Sequence, residues 1–121
     1  MIPHPPRGLA VATSLRLRRW RDLIPFLLLS IRVERQARKS PGLMYHGMRG
    51  DLLQRQFCTL TIWESRQSAN AFVNAEPHME AVRRFNDLAY EGLFAEWEAP
   101  SNPVSWAEAH RRLEHPTYRY G

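Results

Sequence analysis

The chain has 121 residues, a formal net charge of +5 and one cysteine, Cys58. This length suits one compact domain, and we expect residues 8–115 to form it, with terminal tails at 1–7 and 116–121. A lone cysteine excludes an internal disulfide and a cysteine-based zinc site. It is typical of a reducing compartment. The first ten residues, MIPHPPRGLA, have prolines where a signal peptide would have its apolar stretch, so we expect a cytoplasmic protein.

Positive charge is concentrated in residues 16–39, which hold seven arginines and one lysine. These basic residues are not interleaved with stacking aromatics along one surface, so we expect no nucleic-acid partner. The apolar run at 23–31 is far shorter than the roughly 20 residues that a bilayer span needs, which argues against an integral membrane segment. The basic, leucine-rich stretch leaves room for contact with a membrane surface.

The first two elements are a strand and a long helix. Residues 8–17 are apolar and β-branched, with alternation towards the end, which predicts a half-buried strand. The helix should begin after Asp22 as its N-cap and stop at residues 40–42, Ser-Pro-Gly. Its apolar side, expected to face the sheet, comprises Leu23, Ile24, Leu27, Leu28 and Ile31.

Two strands follow, at 43–51 and 56–63. Alternation in the second places Phe57, Thr59, Thr61 and Trp63 on one face and Cys58, Leu60 and Ile62 on the other. Both faces of this strand therefore carry large side chains.

The remaining elements are two short helices, a strand and a last helix. Ser65 is the expected cap of a helix that ends near Asn74, and Pro77 suits the first position of the next. Residues 93–98 predict a fourth strand, and Ser105 opens a helix through Leu113 with a capping box. Residues 115–121 show no periodicity, and we expect them to lie on a neighbouring molecule.

The order β-α-β-β-α-β predicts an α+β, ferredoxin-like fold, in which helices cover one face of a four-stranded antiparallel sheet. The other face of that sheet is apolar and needs cover. We therefore expect a homodimer in which two sheets pack face to face.

Four segments resemble a known family: ARKSPGLMYHG, FCTLTIWESRQSANAFVNAEPHMEAVRRF, YEGLFAEWE and PVSWAEAHRRL. Their order and spacing are similar to those of the dimeric α+β barrel superfamily that contains antibiotic-biosynthesis monooxygenases. The closest resemblance is to DUF3291-like proteins, near relatives of spheroidene-monooxygenase-like sequences. The positions that match are Trp63, Phe72, His78, Glu91, Trp97 and Trp106.

The resemblance implies a dimeric barrel that binds an apolar small molecule. Cofactor-independent monooxygenases of this superfamily let a substrate carbanion reduce oxygen, so the protein supplies a dry pocket, a base and hydrogen-bond donors. This implies that no cofactor is needed. The likeness to spheroidene-monooxygenase-like sequences implies an alternative, a haem protein with His78 as axial ligand. A non-catalytic ligand-binding protein is a third hypothesis, so whether the chain is an enzyme stays open.

Two residues are candidates for catalysis. His78 is expected at a helix start, where the helix dipole disfavours a protonated imidazole and keeps a lone pair available. The alternative is that its ring fills the break between two helices and bonds a backbone carbonyl. Glu91, at the entry to the fourth strand, would orient the imidazole or else form a surface ion pair.

Five further residues are candidates for ligand binding. Tyr45 and His46 are neighbours on one strand and so point to opposite faces of the sheet, which puts one of them inside. Trp63, Phe72 and Trp97 supply the aromatic area that cores and pockets for flat ligands share. We expect no metal site, because no cluster of histidine and cysteine has the spacing that a metal requires.

Overall fold

The computed structural model describes residues 8–75, 78–98 and 105–120. The first four elements are β1 (Leu9–Leu17), a 3₁₀ turn (Trp20–Asp22), α1 (Leu23–Lys39) and β2 (Leu43–Asp51). The rest are β3 (Gln56–Trp63), α2 (Arg66–Val73), α3 (His78–Leu88), β4 (Ala89–Glu98), α4 (Trp106–Glu114) and β5 (Tyr118–Tyr120). The sheet order β2-β3-β1-β4-β5 is antiparallel throughout. Its first four strands have the predicted ferredoxin-like arrangement, which is confirmed.

Two features of the chain after α3 differ from the sequence prediction. β4 begins at Ala89 rather than Leu93, so Glu91 lies inside the strand. The tail does not depend on a neighbouring molecule, because Tyr118–Tyr120 pairs with β4 of its own chain. This pairing supplies partners for backbone groups that would otherwise be unpaired at the edge of β4. Pro77 and the tail at 1–7 lie outside the described residues.

Helices α1, α2 and α3 cover one face of the sheet, which we call the helix side. Two apolar clusters hold α1 and α2 there, and Leu88 at the end of α3 packs against the second. One comprises Leu9, Ala37, Trp63, Ala69 and Phe72. The other comprises Leu15, Leu17, Phe26, Phe57 and Ala89. No helix in the described ranges is long and apolar enough to cross a membrane.

The rotation of α1 about its axis differs from the prediction. Phe26 packs on Phe57 with ring centroids 4.8 Å apart, and this contact turns Leu29 and Ala37 inward as well. Ile24 and Leu28, which we expected against the sheet, are 63% and 60% exposed. That expectation is wrong, because both sides of the helix are apolar and periodicity alone does not choose between them.

The start of α1 also differs. Asp22 occupies the N-cap position, but its side chain makes no capping hydrogen bond. The carboxylate instead accepts from Arg19, whose Nε lies 3.0 Å from Oδ2. Ser65 and Ser105 do cap α2 and α4 as predicted, each accepting from the backbone N–H three residues later.

The second face of the sheet, which we call the α4 side, is covered by α4 of the same chain. Ala109 and Leu113 are its buried residues. They pack on a cluster formed by Ala10, Ala12, Leu60, Ile62, Ala95 and Trp97. The centre of this face is therefore already buried, and a second copy is not required to cover it.

The link from α1 to β2 depends on Gly42. Its φ of +89° lies in the left-handed region, and its carbonyl accepts from the backbone N–H of Glu64 at 2.8 Å. A Cβ at this position would lie 2.4 Å from Oγ of Ser68 and 2.6 Å from its Cβ. Glycine is thus needed for both the conformation and the close approach of α2.

We expect Gly42→Ala to lower the free energy of unfolding by about 2 to 4 kcal/mol, since left-handed strain and overpacking add. Urea denaturation followed by circular dichroism measures the change. The matched control, Lys39→Ala on the exposed end of α1, should stay within about 0.5 kcal/mol of the parent. Equal stability of the two variants would contradict this role for Gly42.

Candidate functional site

The structure divides the seven residues predicted for the site between the two sides of the sheet. On the helix side are His46, Trp63, Phe72 and His78. On the α4 side are Tyr45, Glu91 and Trp97. A single site cannot include all seven, because the sheet separates the two groups.

Three of the helix-side residues form a column of rings. The ring of Trp63 lies 5.0 Å from that of Phe72, and the ring of Phe72 lies 4.9 Å from that of His78. Trp63 is almost fully buried, and its Nε1–H donates to Oγ1 of Thr61 at 3.0 Å. The column therefore runs from the sheet, through α2, to the first residue of α3.

His78 bonds to the backbone that precedes it. Its Nδ1 lies 3.1 Å from the carbonyl oxygen of Val73, which closes the break between α2 and α3. Because a carbonyl only accepts, this bond places the proton on Nδ1 and leaves the lone pair on Nε2. Burial lowers the pKa of His78, so the ring is neutral at physiological pH.

Gln36 of α1 joins this junction to the long helix. Its Oε1 accepts from the backbone N–H of His78 at 2.7 Å, and its Nε2 donates to the carbonyl of Phe72 at 2.9 Å. A longer contact of 3.5 Å reaches the carbonyl of Ala75. One amide thus satisfies backbone groups at the end of α2 and at the start of α3.

A groove of about 710 Å³ opens between α1 and α2. This volume is in the range of sites for drug-sized molecules. Its apolar wall includes Phe72, Ala71, Ala75 and Pro41, and its polar residues are Gln36, Ser40 and Ser68. Arg32, Arg35 and Lys39 complete the lining with positive charge. We call it the α1–α2 groove.

The groove shares two residues with the junction at His78. Phe72 lies in its wall and packs against the imidazole with the two rings tilted, while Gln36 lines the groove and accepts from the backbone N–H of His78. Arg32 is ion-paired with Glu80 of α3 at 3.0 Å. The groove therefore combines an aromatic wall, a cationic lining and a neighbouring neutral histidine.

His46 lies on the other side of α1. It faces Thr61 in the strand register and interacts with the charges of Glu34 and Arg38. Glu34 and Gln36 are two residues apart and so point in nearly opposite directions around the helix. Burial lowers the pKa of His46, against a smaller opposing effect of Glu34. It is a second neutral imidazole, separated by α1 from the groove.

The α4-side candidates have structural partners. Tyr45 Oη accepts from Nε1 of Trp106 at 3.2 Å, and the Tyr45 side chain lies across Gly47. Trp97 is buried beneath the guanidinium of Arg112, 5.3 Å from the ring centroid. Its Nε1 has no hydrogen-bond partner among the described groups. These contacts hold α4 on the sheet.

Glu91 is far from His78. It pairs with Arg16 across the sheet, whereas Trp63, at the base of the ring column, pairs with Leu9. Seven residues of β1 separate these positions, a distance of about 23 Å along the strand. Glu91 also shares the face of Leu93, which packs on the α4 side. The structure does not bring Glu91 and His78 together.

A haem bound through His78 does not fit this arrangement. Axial ligation would need the ring to face a large cavity, yet the described residues that line the groove do not include His78. Among the described residues, no group of three His, Cys, Asp or Glu side chains could hold a metal ion.

Sequence reasoning missed Gln36 and the cationic lining of the groove. Gln36 lies between the half-buried Val33 and the buried Ala37, in a segment whose charged residues suggested an exposed surface. The sequence could have pointed to Gln36 through one feature, a polar amide next to the buried side of a helix. Its partners are backbone groups that no sequence pattern identifies.

Comparison with known proteins identifies the fold but does not show a family. No family model matches the chain, and no curated protein matches it. The structure is similar to that of SnoaB from Streptomyces nogalater, described as a cofactor-independent oxygenase (8% identity, 82% of this chain, 99% of that chain, TM-score 0.67). An antibiotic biosynthesis monooxygenase is 16% identical (76% and 98% covered, TM-score 0.68). A conserved protein from Methanosarcina mazei Go1 is 12% identical (78% and 94%, TM-score 0.70).

This chain therefore has the α+β fold of antibiotic-biosynthesis-monooxygenase-like proteins, as the sequence predicted. Identities this low carry the architecture alone, because one fold supports many chemistries.

The two half-buried imidazoles, His46 and His78, should make stability depend on pH. Their pKa values in the folded chain lie below the value of 6.5 that is usual for histidine. Below about pH 6.5 the unfolded chain binds protons that the folded chain does not, so the free energy of unfolding falls. In His78→Asn, urea denaturation from neutral to acidic pH should show a smaller fall. In His110→Asn, an exposed control on α4, the fall should match the parent; an unchanged fall in His78→Asn contradicts the assignment.

Gln36→Leu should lower the free energy of unfolding by about 2 to 4 kcal/mol, because two backbone groups lose their partner. Amide hydrogen exchange should accelerate at His78 and the following turn of α3. Gln67→Leu, on the exposed face of α2, is the control and should change stability by about 0.5 kcal/mol or less. A Gln36 variant as stable as this control would exclude the bridging role.

Proposed function

We propose that the protein binds an apolar organic molecule in the α1–α2 groove and oxidises it as a cofactor-independent monooxygenase. The observation that carries the proposal is the groove itself, with Phe72 in its wall and the neutral His78 behind that ring. SnoaB, a cofactor-independent oxygenase with a similar fold, supports this choice of reaction class.

In this proposal His78 is the base. The bond from Nδ1 to Val73 fixes the tautomer and leaves the lone pair on Nε2. Phe72 lies between the imidazole and the groove, so the bound substrate must displace the Phe72 ring before Nε2 takes a proton from its carbon acid. The resulting carbanion reduces oxygen to a hydroperoxide, which takes the proton back from His78. Loss of water then leaves a carbonyl. One oxygen atom enters the product and the other leaves as water.

The cationic lining stabilises the negative charge that this reaction creates. Deprotonation next to a carbonyl moves charge onto the substrate oxygen as an enolate. Arg35 and Lys39 line the groove and have no ion-pair partner among the described carboxylates. Fixed positive groups beside a developing oxyanion lower the barrier to its formation. Glu91, on the other side of the sheet, has no part in this proposal.

A non-catalytic ligand-binding protein is the second candidate. The bond between His78 and Val73 favours it, because this bond gives the histidine a structural role that needs no chemistry. We further propose a relationship to DUF3291-like proteins, a homodimer, and a cytoplasmic location. Because α4 lies on the face where sheets would meet, the dimer must form around α4 or elsewhere.

Anthrone tests the reaction, since its central CH₂ is acidified by a carbonyl and two aromatic rings. We expect protein-dependent oxygen uptake in an oxygen electrode, with one anthraquinone formed for each O₂ consumed. His78→Ala should lower kcat by about a hundredfold or more, which is typical for loss of a general base. Phe72→Leu should mainly raise KM, because the aromatic wall is lost.

His110→Ala is the matched control and should retain the parent rate. Oxygen uptake no faster than the spontaneous reaction would contradict the oxygenase proposal. If anthraquinone still binds, and binding weakens in Phe72→Leu, the second candidate replaces it. If neither reaction nor binding occurs, the groove is not a site for this class of molecule.

A further inference from the structure

One end of the molecule exposes large apolar side chains. The β2–β3 turn places Leu53 and Leu52 at the surface, where they are 85% and 57% exposed. Trp20, in the 3₁₀ turn before α1, is also exposed. The guanidinium of Arg55 lies 5.4 Å from the Trp20 ring centroid and so connects the two turns. We call the surface formed by residues 16–22 and 51–55 the turn end.

The apolar surface continues from Trp20 along the outer side of α1. Ile24, Leu28 and Ile31 follow it at helical spacing and are all exposed. This is the stripe that sequence reasoning assigned to the sheet. Contiguous exposed apolar side chains of this kind mark an association surface rather than ordinary surface variation.

A small pocket of about 170 Å³ lies beside these side chains, lined by Arg16, Leu17, Arg18 and Arg55. Arg16 donates to Gln54 at 3.1 Å, and Arg55 Nε donates to the carbonyl of Leu17 at 3.2 Å. These bonds hold two guanidinium groups near the pocket. Guanidinium groups gathered around one concavity suit a phosphate, which they bind through several donors at once.

Arg55 is held in an unfavourable backbone conformation. Its φ of +53° lies in the left-handed region, and it is the one described non-glycine residue with positive φ. Glycine or asparagine would adopt this conformation at lower cost. Strain of this kind at a charged residue points to a role for its side chain.

The charge of the turn end is positive. Residues 16–22 and 51–55 together carry five arginines and two aspartates, a net charge of +3. Asp22 is ion-paired with Arg19, and Asp51 accepts from the backbone N–H of Gln54. Across the sheet, Arg16 also faces Glu91. The net charge around the pocket is still positive, which favours an anionic partner.

We propose that the turn end docks onto an anionic lipid bilayer. Leu52, Leu53 and Trp20 enter the interface, and the pocket of Arg16, Arg18 and Arg55 receives a lipid phosphate. Apolar side chains beside arginines match both parts of such a surface, since binding grows with buried apolar area and with attraction to anionic headgroups. Leucines at a turn tip offer nothing to the bases of a nucleic acid. A second copy would bring the same arginines against each other.

The proposal is independent of the oxygenase reaction. It adds a location: a protein held at a bilayer meets apolar substrates where they are concentrated. The groove lies towards the other end of α1, so docking through Trp20 leaves it accessible.

Vesicle flotation with the full-length protein tests the proposal. We expect binding to vesicles that contain phosphatidylglycerol and little binding to phosphatidylcholine alone. Arg55→Gly removes the guanidinium and relieves the positive φ, so it should fold and yet bind about fivefold more weakly, as for one arginine at a charged surface. Leu53→Glu changes a side chain that is almost fully exposed, and it should weaken binding about tenfold or more.

Two matched controls are available away from this surface. Arg111→Gln on α4 removes the same charge, and Val82→Glu on α3 introduces the same carboxylate at another exposed apolar position. Both should bind as the parent does. The proposal is overturned if the parent does not bind anionic vesicles, or if Leu53→Glu binds no worse than Val82→Glu. It is equally overturned if Arg55→Gly weakens binding to a single-stranded oligonucleotide but leaves binding to anionic vesicles unchanged.

Discussion

The sheet is apolar on both faces, and the whole structure depends on how those faces are covered. Leu60 and Ile62 alternate with Phe57 and Trp63 along β3, so neither face can be left in water. The chain places α1, α2 and α3 on one face and α4 on the other. This arrangement decides which side chains can share a site. It also separates aromatic residues that look equivalent in the sequence, because Trp63 lies on one side and Trp97 on the other.

Within the helix side, α1 shapes the proposed ligand site. Its inward residues lock its rotation, and Gln36 then reaches the junction of α2 and α3 through a single amide. The same rotation turns Arg35 and Lys39 towards the groove and leaves Ile24 and Leu28 in solvent. The groove and the exposed apolar stripe thus both result from the rotation of α1, and both lie along this helix. This gives the proposed membrane contact and the proposed ligand site a common structural origin.

Much of the fold was predictable from local patterns. Alternation in β3, the caps at Ser65 and Ser105, and the stop at Gly42 all act within a few residues, and each prediction agrees with the structure. The rotation of α1 was not predictable, because Ile24 and Leu28 are as apolar as Phe26 and Leu29. Only the contact between Phe26 and Phe57, 31 positions apart in the sequence, decides between the two faces.

The candidate site was predictable only in part. Phe72 and His78 were identified from their surroundings in the sequence, and the structure places them in contact. The pairing of His78 with Glu91 was not realised, since the path of β4 sends Glu91 to the other side of the sheet. The sequence did not predict that α4 covers that side of the sheet. It indicated a helix at 105–113 but not the surface on which this helix packs.

The central claim is that ligands bind on the helix side, in the groove beside the ring column. The four tryptophans allow a direct measurement, since their indole N–H groups give separate signals in a ¹⁵N-correlated NMR spectrum and lie in different regions. Titration with anthraquinone, which is stable, should shift the signal of Trp63, which contacts Phe72, and leave those of Trp97 and Trp106 in place. Shifts at Trp97 and Trp106 with Trp63 unchanged would contradict the account, because they would place the ligand beneath α4.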